Sequence, residues 1–226
     1  MVAYQVFVET GKKKAFAGAV DWPGWCHWAD KEPTALQVLV DYGPRYARVL
    51  AGSGVDFQVP ASAADLTVIE RHDGGLMTDF GVPGVVLDVD RQPASADEIR
   101  RFEAILQACW RAFDRAARRA EGHELRKGPR GGGRDLEAMV EHVLGGEGAY
   151  LGALAWKHTL EKGLAPGEAL ARVHQEVIDA LEAAIQDELP KQKPRGGAPW
   201  PVRYFVRRTA WHVLDHAWEI EDRIIG

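Results

Sequence analysis

"DRQPASADEIRRFEAIL", residues 90–106, marks the point where the chain changes character, and its reading decides the fold. Ser95 followed three positions later by Glu98 is a capping box, in which each side chain can take a backbone N–H that the first helical turn leaves unpaired. Beyond it the apolar residues recur at helical period to the C-terminus. The spacing predicts helices over 96–121, 135–160, 167–188 and 201–223. The stretches "RKGPRGGGRD" (126–135) and "LPKQKPRGGAPWP" (189–201) supply the glycine and proline that stop them. Four amphipathic helices of about 20 residues suit a bundle.

Before that point the period is different. "AYQVFVE" (3–9) and "KAFAGAVD" (14–21) read as strands around the turn "TGKKK", and "WPGWCHWADK" (22–31) reads as a Pro/Gly turn region. A helix is expected from Pro33-Thr34, with Leu36, Leu39 and Val40 at helical spacing and a break or kink at Gly43-Pro44. "DFQVP" (56–60), "DLTVIER" (65–71) and "GVVLDVD" (84–90) are short strand candidates. Trp22, Trp25 and Trp28, spaced i, i+3, are expected in the core. The whole is an α+β protein, with an αβ domain over 1–92 and a four-helix bundle over 93–226.

Composition narrows the classes of function. Of 226 residues, 46% are hydrophobic and 27% charged, a balance ordinary for a globular protein. No apolar run approaches the roughly 20 residues that cross a bilayer, and the lysines at 12–14 follow the first apolar stretch, the reverse of a signal peptide. Cys26 and Cys109 are the only cysteines, so neither a disulfide framework nor a cysteine zinc site is expected. A cytoplasmic protein follows from this, with no membrane as partner. The net charge of −5 argues against nucleic acid as the main partner. Basic residues do border two helices: Arg126, Lys127, Arg130 and Arg134 the second, and Lys191, Lys193, Arg195, Arg203, Arg207 and Arg208 the fourth. Such runs read as solvated loops, or as a guide for a carboxylate-rich thiol or an acidic partner. Cys26, set among apolar rings, reads as structural.

The histidines carry the functional signal. In the last helix Phe205, Thr209, His212, His216 and Ile220 follow one buried seam. Buried imidazole is costly without partners, yet two at i and i+4 are near enough to share one metal ion. A third ligand is needed. His142 shares a stripe with Met139, Gly146 and Ala149 on the second helix, and Gly145-Gly146 leave room where core helices usually carry Leu. His158, on a stripe with Leu151 and Leu154, is the rival. It lies about 24 Å further along a continuous helix, so only one of the two can reach the pair. His27, His72, His123 and His174 read as solvated. Glu219, one turn beyond His216, and Glu147, near His142, are candidates for a general base or for a carboxylate that holds an imidazole N–H; Asp215 reads as exposed.

Two resemblances bear on function. "YQVFVETGKKKAFAGAVDWPGWCHWADKEPTALQVL" (4–39) resembles HicB-like antitoxin domains in its strand hairpin, its Pro-Gly turn before Cys26 and its helix opening with an acidic residue before Ala35-Leu36. The resemblance covers about the first 60 residues and implies a small αβ fold related to a partial RNase H fold. A DNA-binding segment usually follows such a domain; here helices follow. "EHVLGGEGAYLGAL" (141–154) and "RRTAWHVLDHAWEIEDR" (207–223) resemble the DinB-like superfamily of metal-binding bundles. That family takes one His from the second helix and an HxxxH pair from the last, matching His142, His212 and His216. It implies a divalent ion, often zinc or nickel, completed by water, and frequent homodimers. Some members transfer low-molecular-weight thiols such as mycothiol, bacillithiol or glutathione.

Three neutral imidazoles leave the ion doubly charged with a position open. The resulting expectation is a metal-dependent thiol S-transferase acting on a small-molecule substrate. The alternative is a non-catalytic partner-binding protein, antitoxin-like or regulatory, with a structural metal; a metal hydrolase stands third.

Overall fold

A computed structural model describes residues 3–127, 133–159, 163–193 and 196–225; Arg130 and Arg195, two of the basic loop residues, lie outside them. The chain is α+β. Its first part is a four-stranded sheet in the order β3-β2-β1-β4, from β1 (Tyr4–Thr10), β2 (Ala15–Ala19), β3 (Cys26–Ala29) and β4 (Leu66–Asp73). β1 and β2 form the expected hairpin, with Val6 opposite Ala19 and Thr10 opposite Ala15. β4 runs parallel to β1, and α1 (Glu32–Leu50) carries the connection that a parallel pair requires.

Four expectations for this part change. Pro23-Gly24 does turn the chain, but Cys26–Ala29 pairs with β2 rather than staying in the turn. Gly24 has φ +91°, and a Cβ there would meet Leu214 Cδ1 at 2.8 Å, so only glycine fits both the turn and the helix behind it. α1 runs unbroken through Gly43-Pro44. Ala35, Leu39, Tyr46, Val49 and Leu50 on both sides of the proline are buried in the core, and that packing outweighs one missing helix hydrogen bond.

Residues 56–60 form no strand; Phe57 instead packs its ring against Tyr4, Trp22, Trp25 and Tyr46. Residues 84–90 form none either. Their backbone N–H groups are taken by side chains, Gly84 and Val85 donating to Glu9, Asp88 and Val89 to Glu70 and Leu87 to Asp90, which leaves no ladder to build. A short helix, α2 (Leu76–Phe80), precedes this segment.

The second part is helical. α3 (Ala96–Ala120), α4 (Leu136–Ala153), α5 (Pro166–Ile185) and α6 (Val202–Arg223) sit close to the ranges predicted by periodicity. Ser95 Oγ accepts from Glu98 N at 3.2 Å and Glu98 Oε2 from Ser95 N at 3.0 Å, completing the capping box. α4 stops seven residues short of the expected end at 160: the chain turns at Leu154-Ala155, where Ala155 has φ +69°. α6 packs on α3 and α4, and α5 on α4 and α3, closing a four-helix bundle.

The change of period near residue 92 does not interrupt the core. One buried cluster runs from Tyr4, Val6 and Trp25 through α1 to Phe102, Phe205 and Leu214. On the other face of the sheet a second cluster sets Trp211 of α6 against Phe16, Val20 and Leu87. α6 is therefore covered by the bundle on one side and by the αβ layer on the other, which explains why every residue from Tyr204 to Leu214 is buried. Arg207 and Arg208, read as solvated, hold this joint, and Arg203, read likewise, ties α6 to α3. Arg203 pairs with Glu98 at 2.7 Å. The Arg207 guanidinium forks onto the buried carboxylate of Asp90 and lies over the Phe7 ring. Arg208 donates to Pro83 O at 3.0 Å and to Tyr150 Oη at 3.1 Å.

Candidate metal centre

α6 presents His212 and His216 one turn apart, and α4 presents His142 opposite them. A candidate ligand atom from each of the three lies within 4.8 Å of the other two. Their ring centroids are 4.8–5.0 Å apart, and His212 Nε2 is 3.2 Å from His142 Nε2. Two nitrogens on a tetrahedral zinc stand about 3.3 Å apart, given metal–nitrogen bonds of about 2.05 Å. The pair is already spaced for shared ligation.

Room for this comes from a glycine. A Cβ on Gly146 would meet His212 Cε1 at 2.4 Å and Nδ1 at 3.0 Å, closer than any side chain tolerates. The imidazole occupies the space that the missing methyl leaves. Gly145 plays no such part, since it is exposed and a Cβ there would meet nothing within 4 Å.

The protonation states suit ligation. Burial first, then the neighbouring imidazoles and the charges of Arg208 and Arg134, hold the His212 pKa down to about 2; burial, His216 and Arg134 hold His142 at about 4. Both rings are neutral at pH 7 and offer lone pairs. His212 Nδ1 is buried with no hydrogen-bond partner among the described residues, and its Nε2 faces only another imidazole. A ring so short of partners is costly to bury, and an ion would supply what the protein does not.

His216 is better held. Its Nδ1 is 3.0 Å from Glu219 Oε2, while Glu219 Oε1 accepts from Arg223 Nη1 at 2.8 Å. The His216 hydrogen bond and Arg223 keep the Glu219 carboxyl below the usual range. Arg223 is fixed in turn by the carbonyls of Arg126 and Arg134. This chain orients the ring and leaves its other nitrogen for an ion. Arg223 went unremarked in the sequence, although its i, i+4 spacing from Glu219 was a readable signal.

Other site expectations resolve differently. Glu147 is fully buried but turned away from His142: it accepts from Trp110 Nε1 at 2.7 Å and pairs with His174 Nε2 at 3.1 Å. His174, expected in solvent, stacks on Trp110 with centroids 4.1 Å apart. His158 lies beyond the end of α4, so its supposed helical stripe does not exist. It pairs with Glu176 at 2.7 Å and sits over Gly148, where a Cβ would meet its Nε2 at 2.8 Å. His72 pairs with Glu70 at 2.7 Å. His27 is enclosed between Tyr42 and Trp218, with centroids at 3.6 and 5.0 Å, and burial pushes its pKa down to about 3. Of the four histidines read as solvated, only His123 is exposed. Asp215 is half-buried rather than exposed. Both cysteines are free and buried, and burial raises both thiol pKa values.

His216 lines the wall of a cleft of about 890 Å³. α6 contributes Trp218 and Glu219, the chain between α3 and α4 contributes Arg126, Lys127 and Arg134, and the αβ layer contributes His27, Trp28 and Tyr42. No helix among the described residues is long and apolar enough to cross a membrane. No family model, no curated protein and no solved structure matches the chain.

Proposed function

We propose that this chain is a DinB-like protein binding one divalent ion, zinc or nickel, through His142, His212 and His216, and that it acts as a metal-dependent thiol S-transferase. One observation carries the reading: three imidazoles converge from two helices, and one of them, His216, lines an open cleft. An ion held by three neutral ligands and water would lower the pKa of a bound thiol or water. The protein's own groups do the rest. Glu219 fixes the His216 ring, and Arg223 keeps that carboxylate in place. Lys127 and Arg134 at the cleft favour a carboxylate-bearing thiol over a neutral one.

A second reading, partner binding with a structural ion, is favoured by one feature: Leu76, Met77 and Phe80 of α2 are 78%, 55% and 63% exposed. Three side chains on one short helix make a small patch, so this is the weaker support. One experiment separates the two. Metal content is measured by elemental analysis, and the loaded protein is assayed for conjugation of glutathione, bacillithiol and mycothiol to an electrophile such as 1-chloro-2,4-dinitrobenzene. Metal-dependent conjugation that His216→Ala abolishes supports the transferase. A bound ion whose removal lowers the melting temperature, with no conjugation, supports the structural role.

A further inference from the structure

The cleft beside His216 has two unlike walls. One is α6, with His216 and Trp218. The other is built by the αβ layer, whose β3 and α1 contribute Trp28 and Tyr42. Trp28 was expected in the core with Trp22 and Trp25, yet it is 45% exposed, whereas Trp25 is fully enclosed and donates to Leu39 O at 2.7 Å. Its ring does not hang loose: Lys14 Nζ stands 3.6 Å from the ring centroid. Deeper in, Tyr42, His27 and Trp218 form a stack of rings spanning the two parts of the chain, with Tyr42 and Trp218 centroids 5.3 Å apart. His27 Nε2 in this stack is buried with no hydrogen-bond partner among the described residues. An unpaired buried polar atom in a cleft wall is a feature that a ligand's donor or acceptor would satisfy.

Charge completes the description. Arg126, Lys127 and Arg134 lie on the segments that border the cleft, and Lys127 and Arg134 are exposed. Three acids share the lining, Asp215, Glu219 and Asp222; Asp215 is half-buried, Glu219 is engaged by Arg223 at 2.8 Å and Asp222 by Arg45 at 2.9 Å. A volume of about 890 Å³ falls within the range of sites for small organic ligands. Rings on the walls select a flat, ring-bearing molecule; cations at the rim select a negative group on it.

We infer that the αβ layer is the ligand-selecting wall of this cleft, and that the ligand is a flat aromatic molecule carrying a carboxylate or similar anion. The inference rests on the proposed function in taking this cleft as the approach to the three histidines. It assigns the first part of the chain a role in the site itself, distinct from partner binding.

The test uses the full chain and 1-naphthoate as probe, titrated by calorimetry into zinc-loaded and metal-stripped protein, with metal content measured on the same samples. Saturable binding of one probe per chain is expected, at least tenfold tighter than that of 1-naphthylmethanol, which lacks the charge, or cyclohexanecarboxylate, which lacks the aromatic ring. Trp28→Ala should weaken the probe at least tenfold and Lys127→Ala at least threefold, with melting temperature and metal content unchanged. Absence of saturable binding to wild type, or equal affinity for the three compounds, overturns the inference. So does unchanged probe affinity in both variants. A protein that binds the probe in this pattern but holds no metal keeps the inference and loses the metal reading; one that holds metal but ignores the probe does the reverse.

Discussion

His212 on α6 and His142 on α4 face each other with their Nε2 atoms 3.2 Å apart, seventy residues separated in sequence. Two neutral imidazoles so placed share at most one hydrogen bond, whereas an ion between them satisfies both. Replacing His142, His212 or His216 by Ala is therefore expected to lower the metal content of the purified protein at least tenfold, because two remaining imidazoles hold zinc weakly. His158→Ala is the control. Its partner is Glu176, and its metal content should equal that of wild type. Loss of metal from the His158 variant, with retention by the His142 variant, would show the ligand set to be wrong.

The two adjacent glycines of α4 give a sharper comparison. Gly146→Ala places a methyl 2.4 Å from His212 Cε1 and must displace that ring. Metal affinity should fall by an order of magnitude or more with helicity preserved. Gly145→Ala meets nothing and should raise stability by about 0.5–1 kcal/mol, the usual gain of Ala over Gly inside a helix. Circular dichroism melts and zinc titration of the two variants decide it; equal zinc affinities would remove the argument for Gly146.

Asp90 and Arg207 join the two parts of the chain through a buried ion pair. Asp90→Asn leaves the guanidinium buried without its counter-charge, at a cost of about 3–5 kcal/mol. The double variant Asp90→Asn/Arg207→Met should be less destabilised than the sum of the two single changes, because neither charge is then stranded. Urea unfolding of the three proteins measures this, and strict additivity would mean that the pair is not coupled. By the same reasoning a fragment of residues 93–226, which exposes Trp211 and strands Arg207, should melt below the full chain.

His27 predicts a pH dependence of definite sign. Its folded pKa of about 3 lies below the ordinary 6.5, so the unfolded chain takes up the proton first as pH falls. The stability that neutral His27 supports is complete above pH 6.5 and declines from there towards pH 3. Arg45 adds to the burial effect in disfavouring the imidazolium. Between pH 7 and pH 4 wild type should lose about 2–3 kcal/mol more than His27→Phe, after discounting for partial solvation. Denaturant titrations of metal-free protein across this range test it; parallel pH profiles would mean that His27 ionises freely in the fold.

Cys26 and Cys109 are free, and both are buried. Both thiols should titrate after denaturation without reductant, and neither should react rapidly with Ellman's reagent in the native protein. A thiol count of zero after denaturation would reveal a bridge.

Much of this was legible in the residues, and the reason is periodicity. A helix that buries one face repeats its apolar residues every three or four positions, so α3, α5 and α6 show their extents directly, and Ser95 with Glu98 marks the start of α3 chemically. The HxxxH of α6 and the glycine beside His142 were likewise local signals, because ligand spacing and missing methyl groups are properties of a single helix. Local pattern failed where a distant group set the outcome. Residues 84–90 read as a strand, but the carboxylates of Glu9 and Glu70 claimed their backbone donors. Gly43-Pro44 reads as a break, but burial on both sides carried α1 through. Arg207 read as solvated because Asp90, its partner, lies 117 positions away. His158 was a helical residue only until the turn at Ala155 moved it off α4 and onto Glu176. The sequence by itself determined the four long helices of the bundle and placed His212 and His216 on the buried seam of the last one. Which imidazoles meet, and that the αβ layer forms the other wall of their cleft, was decided only by tertiary packing, since those contacts join residues whose separation along the chain leaves no periodic trace.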